Sequence, residues 1–198
     1  MTRKVRVVGL LGGIGSGKSA VAALFQEFGA RTVDADRIGH SVLEEPAIRK
    51  TLVAWWGPGI LEKGRVDRAA VARRVFASPG ATRKLNRLVH PRIRKELARE
   101  ISRGSRRSGV LVVDAALLLE TGSDAACDVL VFVDAPAADR RRRIARRGWT
   151  AAEWRRRERT QWPLPRKRAR ADYVIDNGGP RAATRKQVES ILQEIASL

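Results

Sequence analysis

Cysteine is almost absent from this sequence: Cys127 stands alone among 198 residues, which excludes an internal disulfide framework. Histidine is nearly as scarce, and His40 and His90 cannot assemble the ligand spacing of a zinc site. No apolar run approaches the roughly 18 residues that a membrane-spanning helix needs, so no part of the chain is expected to cross a bilayer. The opening Met-Thr-Arg-Lys and the apolar residues behind it imitate a secretory leader, but Arg6 interrupts the run, and export is rejected. A cytoplasmic protein fits these absences. At this length the chain can bury a proper core without a metal or a disulfide, and one compact domain is the starting expectation.

Negative charge is the next shortage. Asp and Glu number 21 against 40 Lys and Arg, for a net charge of +19 and an isoelectric point near 11.5. Such an excess calls for a polyanionic partner: nucleic acid, acidic lipid or phosphorylated metabolites. Its distribution is uneven. Between Asp139 and Arg170 lie thirteen Arg and one Lys against three carboxylates, more than half of the excess. Most of these arginines read as a solvated helical surface.

What is present in quantity is alternation. Val5–Leu11, Arg31–Asp34, Val110–Val113, Val129–Val133 and Tyr173–Ile175 are short apolar runs of the kind that form strands covered on both faces. Lys18–Phe28 and Arg181–Ala196 carry apolar residues at helical spacing. Five strands alternating with helices predict an α/β protein, an open parallel sheet with helices on both sides, whose ligands lie beyond the carboxyl ends of the strands. Asp34, Asp114 and Asp134 fall at such ends. Two stretches exceed a minimal sheet and read as insertions: 36–105, largely helical by pattern, and the basic 137–170, helical with a break at Gly148 and prolines at 163 and 165.

One motif carries chemistry. Gly12-Gly13-Ile14-Gly15-Ser16-Gly17-Lys18-Ser19 matches G-x-x-x-x-G-K-[ST] and lies between a predicted strand and a predicted helix, the context it requires. Glycines let the loop turn its backbone N–H groups around phosphate oxygens, and the helix N-terminus adds partial positive charge. Lys18 is placed to reach the β- and γ-phosphates of ATP, and the Ser19 hydroxyl to ligate Mg²⁺. Asp114 stands where a carboxylate often holds that metal through water; the same position suits one that merely closes a strand. Asp34 and Asp36 follow the second strand. Phosphoryl transfer to an alcohol needs a carboxylate within reach of the hydroxyl. Asp34 is favoured for this role and Asp36 for a helix cap or secondary binding, although spacing by itself does not rank Asp34 over Glu120.

With these residues in place, the chain resembles the dephospho-coenzyme A kinases nearly end to end. The glycine loop from Gly9 to Ser19 is similar to that family's P-loop, and Asp34-Ala35-Asp36 to its Asp-Ala-Asp signature. More discriminating are Val66-Asp67-Arg68, Phe76, His90-Pro91 with Ile93-Arg94, Asp114 followed by Leu117-Leu118 and Glu120, Gln161, Ala171-Asp172, and Ile175-Asp176-Asn177. The resemblance implies a P-loop NTPase-type α/β/α sandwich with a five-stranded parallel sheet, and transfer of phosphate from ATP to the ribose 3′-hydroxyl of dephospho-CoA, the last step of coenzyme A synthesis. It implies a nucleotide-binding core of 1–35, 106–136 and 171–198, a helical coenzyme A region of 36–105 and a lid of 137–170. Ala20 and Asn177 join the loop as nucleotide contacts, and Asp36, His90, Leu117, Glu120 and Arg157 join Asp34 as substrate contacts. Arg142 and Arg146, one helical turn apart, align with the family's lid arginines and would act with Lys18 and Asp34 in catalysis. His90 reads as a fold or substrate-region residue, since a lone histidine before proline is more often a structural hydrogen-bonder than a catalyst. Leu11, Ala20 and Ala116 depart from the usual threonine, second hydroxyl and proline; Trp55-Trp56 replaces a smaller aromatic, and packing under a helix accounts for it.

Two other readings compete: a P-loop kinase for another acceptor, and a nucleotide-switched nucleic-acid binder motivated by the charge. Against the second, no zinc knuckle, RNA-recognition signature or basic zipper is present, and the basic segment coincides with the expected lid. The expected partners are ATP and dephospho-CoA; the residues fix no oligomeric state.

Overall fold

The computed structural model describes residues 5–104 and 109–197. In chain order, strand β1 (Arg6–Gly12) leads into helix α1 (Lys18–Glu27) and strand β2 (Arg31–Asp34). Helices α2 (Ala35–Leu43) and α3 (Pro46–Trp56), a hairpin of β3 (Leu61–Glu62) and β4 (Arg65–Val66), and helices α4 (Arg68–Ala77) and α5 (Pro79–Gly104) follow. The chain then forms β5 (Val110–Asp114), β6 (Val129–Asp134), three basic helices α6 (Ala137–Ala145), α7 (Ala151–Glu158) and α8 (Leu164–Arg168), strand β7 (Tyr173–Asp176) and helix α9 (Arg181–Ser197). These elements form two compact units, one of the residues up to Asp34 with those from Glu100 on, the other of Ala35–Arg99.

The first unit is built on a five-stranded sheet in the order β2-β5-β1-β6-β7, with every neighbouring pair parallel. β-Branched residues dominate the central strands because both faces are covered: Val8, Leu10, Val112, Val131 and Val133 are buried to 0% exposure, as is Ile175 on the edge strand β7. Val21, Leu24 and Phe25 of α1 and Val188, Ile191 and Ile195 of α9 complete this core, each large apolar side chain contributing about 1.5–3 kcal/mol by leaving water. β1 and β6 are neighbours whose chains depart to opposite sides, β1 through α1 towards β2 and β6 through α6 to α8 towards β7. A crevice at the carboxyl edge between two such strands is where open α/β sheets bind ligands.

The second unit is helical, as its pattern predicts, with a core of Val42, Ile48, Leu52, Ile60, Val66 and Val71. Trp55 and Trp56 pack against that core, their two rings edge to face with centroids 5.8 Å apart, and Lys84 lies over the Trp55 ring at 4.1 Å. The β3–β4 hairpin was not legible in the pattern. Its two turn residues, Lys63 and Gly64, both take positive φ, as a tight hairpin demands, but Lys-Gly is a weak turn signal beside Asn-Gly. Asp67 caps α4, its side chain accepting from Ala69 N at 2.8 Å. Among the described residues no helix is long and apolar enough to cross a membrane.

Candidate active site

The glycine loop connects β1 to α1 at the carboxyl edge of the sheet. Gly12 and Gly17 sit at φ 152° and 92°, where side chains are strained. Space forbids them too: a Cβ on Gly17 would lie 2.2 Å from Asn177 Nδ2, and one on Gly12 2.8 Å from the Val133 carbonyl oxygen. Gly17 ends the loop and caps α1, whose first residues are Lys18 and Ser19, so both side chains leave from the positive end of a helix dipole. The Ser16 side chain is buried, and its hydroxyl has no hydrogen-bond partner among the described residues. A buried hydroxyl costs free energy until an acceptor meets it, and a phosphate oxygen supplies one.

Ser19 Oγ donates to Asp114 Oδ2 at 3.0 Å, which joins the start of α1 to the end of β5. A hydroxyl beside a carboxylate is the hard-oxygen pair that suits Mg²⁺. In register, Asp114 lies opposite Leu10 on β1 and opposite Asp34 on β2, so the two carboxylates end adjacent strands. Ser19, Asp114 and Asp34 thus share one edge of the sheet. Leu11 is buried at 3% exposure and offers no hydroxyl there, and exposed Ala20 lies on the first turn of α1.

Asp36, favoured in sequence for a cap, lies inside the first turn of α2, one residue past its start. His90 belongs to α5 of the helical unit, immediately before Pro91; burial lowers its pKa from the ordinary histidine value, and Arg94 lowers it further. Half-buried Leu117 turns the chain after β5, its carbonyl accepting from Thr121 N at 3.0 Å. Glu120 is tied to the basic segment: its Oε1 accepts from Trp162 N at 2.7 Å and from Lys167 Nζ at 2.9 Å. Asn177 Nδ2 donates to the Ser16 carbonyl at 2.7 Å, so that amide supports the loop.

The arginines divide by direction. Four consecutive arginines, Arg140–Arg143, were expected to be mostly solvated, and only Arg141 and Arg142 are exposed. Arg140 is buried at 8% exposure, pairs with Glu158 at 2.7 Å, lies over Trp154 at 5.5 Å, and reaches Gly13, 2.9 Å from where a Cβ would stand. Arg143 donates to loop carbonyls. An amphipathic reading of α6 separates 140 and 143 from 141 and 142, because three residues nearly complete a turn; composition hid it. Of the sequence-predicted arginines, Arg142 pairs with Asp139 at 2.8 Å, and Arg146 is an exposed residue at the end of α6. Arg157 pairs with Glu153 at 2.9 Å and covers the Trp149 ring at 4.1 Å. Lys167, 2% exposed, was missed because one lysine in a basic run carries no sequence mark of burial.

The family description "Dephospho-CoA kinase" matches residues 6–182. The chain is 41% identical to the dephospho-CoA kinase of Geobacillus kaustophilus over 94% of this chain and 95% of that one. It resembles the crystal structure of TT1252 from Thermus thermophilus with a TM-score of 0.83 at 33% identity, covering 98% and 99% of the two chains. A dephospho-CoA kinase structure from Campylobacter jejuni, 22% identical, shares the fold with a TM-score of 0.73 over 96% and 97% of the two chains.

Proposed function

The chain belongs to the dephospho-CoA kinase family, and on that premise we propose how its residues divide the work of phosphoryl transfer from ATP to the ribose 3′-hydroxyl of dephospho-CoA, the final step of coenzyme A synthesis. The observation that carries the assignment is the row of Ser19, Asp114 and Asp34 along one sheet edge, beside a glycine loop with an orphaned buried hydroxyl.

Gly12 to Ala20 hold the triphosphate, with backbone N–H groups and the α1 dipole facing negative charge. Lys18 places a point charge on the β- and γ-phosphates. Ser19 and Asp114 would hold Mg²⁺, which when bound neutralises charge between those phosphates. Asp34 orients the acceptor hydroxyl and takes its proton as that oxygen bonds the γ-phosphorus and the bond from this phosphorus to the bridging oxygen breaks, releasing ADP. Arg142 and Arg146 offer guanidinium groups to the migrating phosphoryl; their aim requires Arg142, whose side chain is exposed, to leave the largely covered Asp139. Residues 137–170 serve as the lid. The coenzyme A moiety is assigned to the helical unit, with Asp36 and His90 as its contacts; Leu117, Glu120 and Arg157 remain assigned to substrate through the family resemblance, and the cytoplasm as location.

The test is Asp34→Asn, assayed with dephospho-CoA against adenosine and AMP as acceptors. Turnover should fall by roughly 10²- to 10⁴-fold, while ATP affinity measured by calorimetry stays within about twofold. Near wild-type turnover would move the base to another carboxylate.

A further inference from the structure

We propose that Arg143 is a positioning residue for ATP: its guanidinium holds the outward carbonyls of the phosphate loop and thereby fixes both the loop and the lid helix that carries Arg142 and Arg146. A loop that turns its N–H groups inward around an anion must turn carbonyls outward, and those oxygens need donors when they are covered. Arg143 supplies them. Its Nη1 donates to Ser16 O at 2.8 Å and to Gly15 O at 3.2 Å, and its Nη2 to Asn177 O at 2.7 Å.

The guanidinium plane spans two chain segments that are far apart in sequence, a geometry that a single ammonium cannot reproduce. Asn177 completes the arrangement. Its Nδ2 supplies the second donor to Ser16 O at 2.7 Å, its own N–H donates to Asp134 O at 2.8 Å, and Thr184 Oγ1 donates to its Oδ1 at 3.2 Å. The loop after β1 and the ends of β6 and β7 are therefore stitched together by Arg143 on α6 and by Asn177. Helical geometry sets Arg142 and Arg146 on a shared face, with Arg143 about 100° from Arg142. Fixing Arg143 on the loop therefore sets the rotation of α6 and with it the direction in which the other two leave the helix.

The inference rests on the reading of Gly12–Ser19 as the ATP site. Its test compares wild type, Arg143→Met and Arg143→Lys in ATP–Mg²⁺ affinity by calorimetry, in KM for each substrate and in thermal midpoint. Arg143→Met should weaken ATP binding about tenfold and raise KM for ATP in parallel, with KM for dephospho-CoA within about twofold of wild type. Arg143→Lys keeps the charge but not the fork, and should fall between the two. ATP affinity unchanged in Arg143→Met, or in a folded Arg143→Lys should the first variant not fold, overturns the proposal. Equal weakening towards both substrates with a lowered midpoint overturns it too, as a merely structural role. A wild type that does not bind ATP defeats the site reading itself, whereas binding by wild type and variants alike defeats only the role of Arg143.

Discussion

Lys167 and Glu120 show what one buried charge pair does for stability at the border of a site. Their side chains are 2% and 12% exposed, and Lys167 Nζ also donates to Gln161 Oε1 at 3.1 Å. Removing two charges from water is costly, and mutual attraction offsets that cost only when both partners stay. Lys167→Met leaves the Glu120 carboxylate buried and uncompensated, and should destabilise the protein by about 3–5 kcal/mol, read as a lowered midpoint in urea. The double variant with Glu120→Leu should recover most of the loss. Cys127 shows burial acting on a single group: desolvation pushes its thiol up to about 12, with Asp124 and Asp128 adding to the effect. It is a packed residue beside Gly9 rather than a nucleophile.

At the scale of elements, the basic helices are too short to be stable alone, at 9, 8 and 5 residues for α6, α7 and α8. Tertiary contacts hold them: Ile144 is buried at 2% exposure, and Arg140 bridges α6 to Glu158 at the end of α7. Helix α7 has a local support besides its Arg157–Glu153 pair. Thr150 accepts from Glu153 N at 3.1 Å, an N-cap that satisfies a backbone donor with no intrahelical partner. Thr150→Ala should cost about 1 kcal/mol, and because α7 buries no side chain of its own fully, the loss should appear locally. Faster amide hydrogen exchange across 151–158 with exchange in β1 and β5 unchanged is the expected result.

The whole molecule carries +19 charges on 198 residues, and compaction concentrates them. Self-repulsion opposes the folded state more than the expanded one, and the exposed ion pairs recover little of it. Raising salt from about 0.01 M to 1 M shortens the screening length from roughly 30 Å to 3 Å. Thermal stability should therefore rise with salt, followed by circular dichroism; a falling midpoint would mean that the ion pairs outweigh the repulsion.

By itself the sequence determined the sheet, the loop and its lysine and serine, because strand burial and phosphate binding leave periodic and local marks: β-branched runs ending in aspartates, and glycines at fixed spacing before a helix. Tertiary structure alone decided which arginines turn inward, that Lys167 and Glu120 meet, and that Asn177 serves the loop backbone. Those outcomes join residues up to 161 positions apart, and the physical reason is direct. Whether a charge is solvated or buried depends on what packs against it, and no local pattern records the neighbour that arrives from elsewhere in the chain.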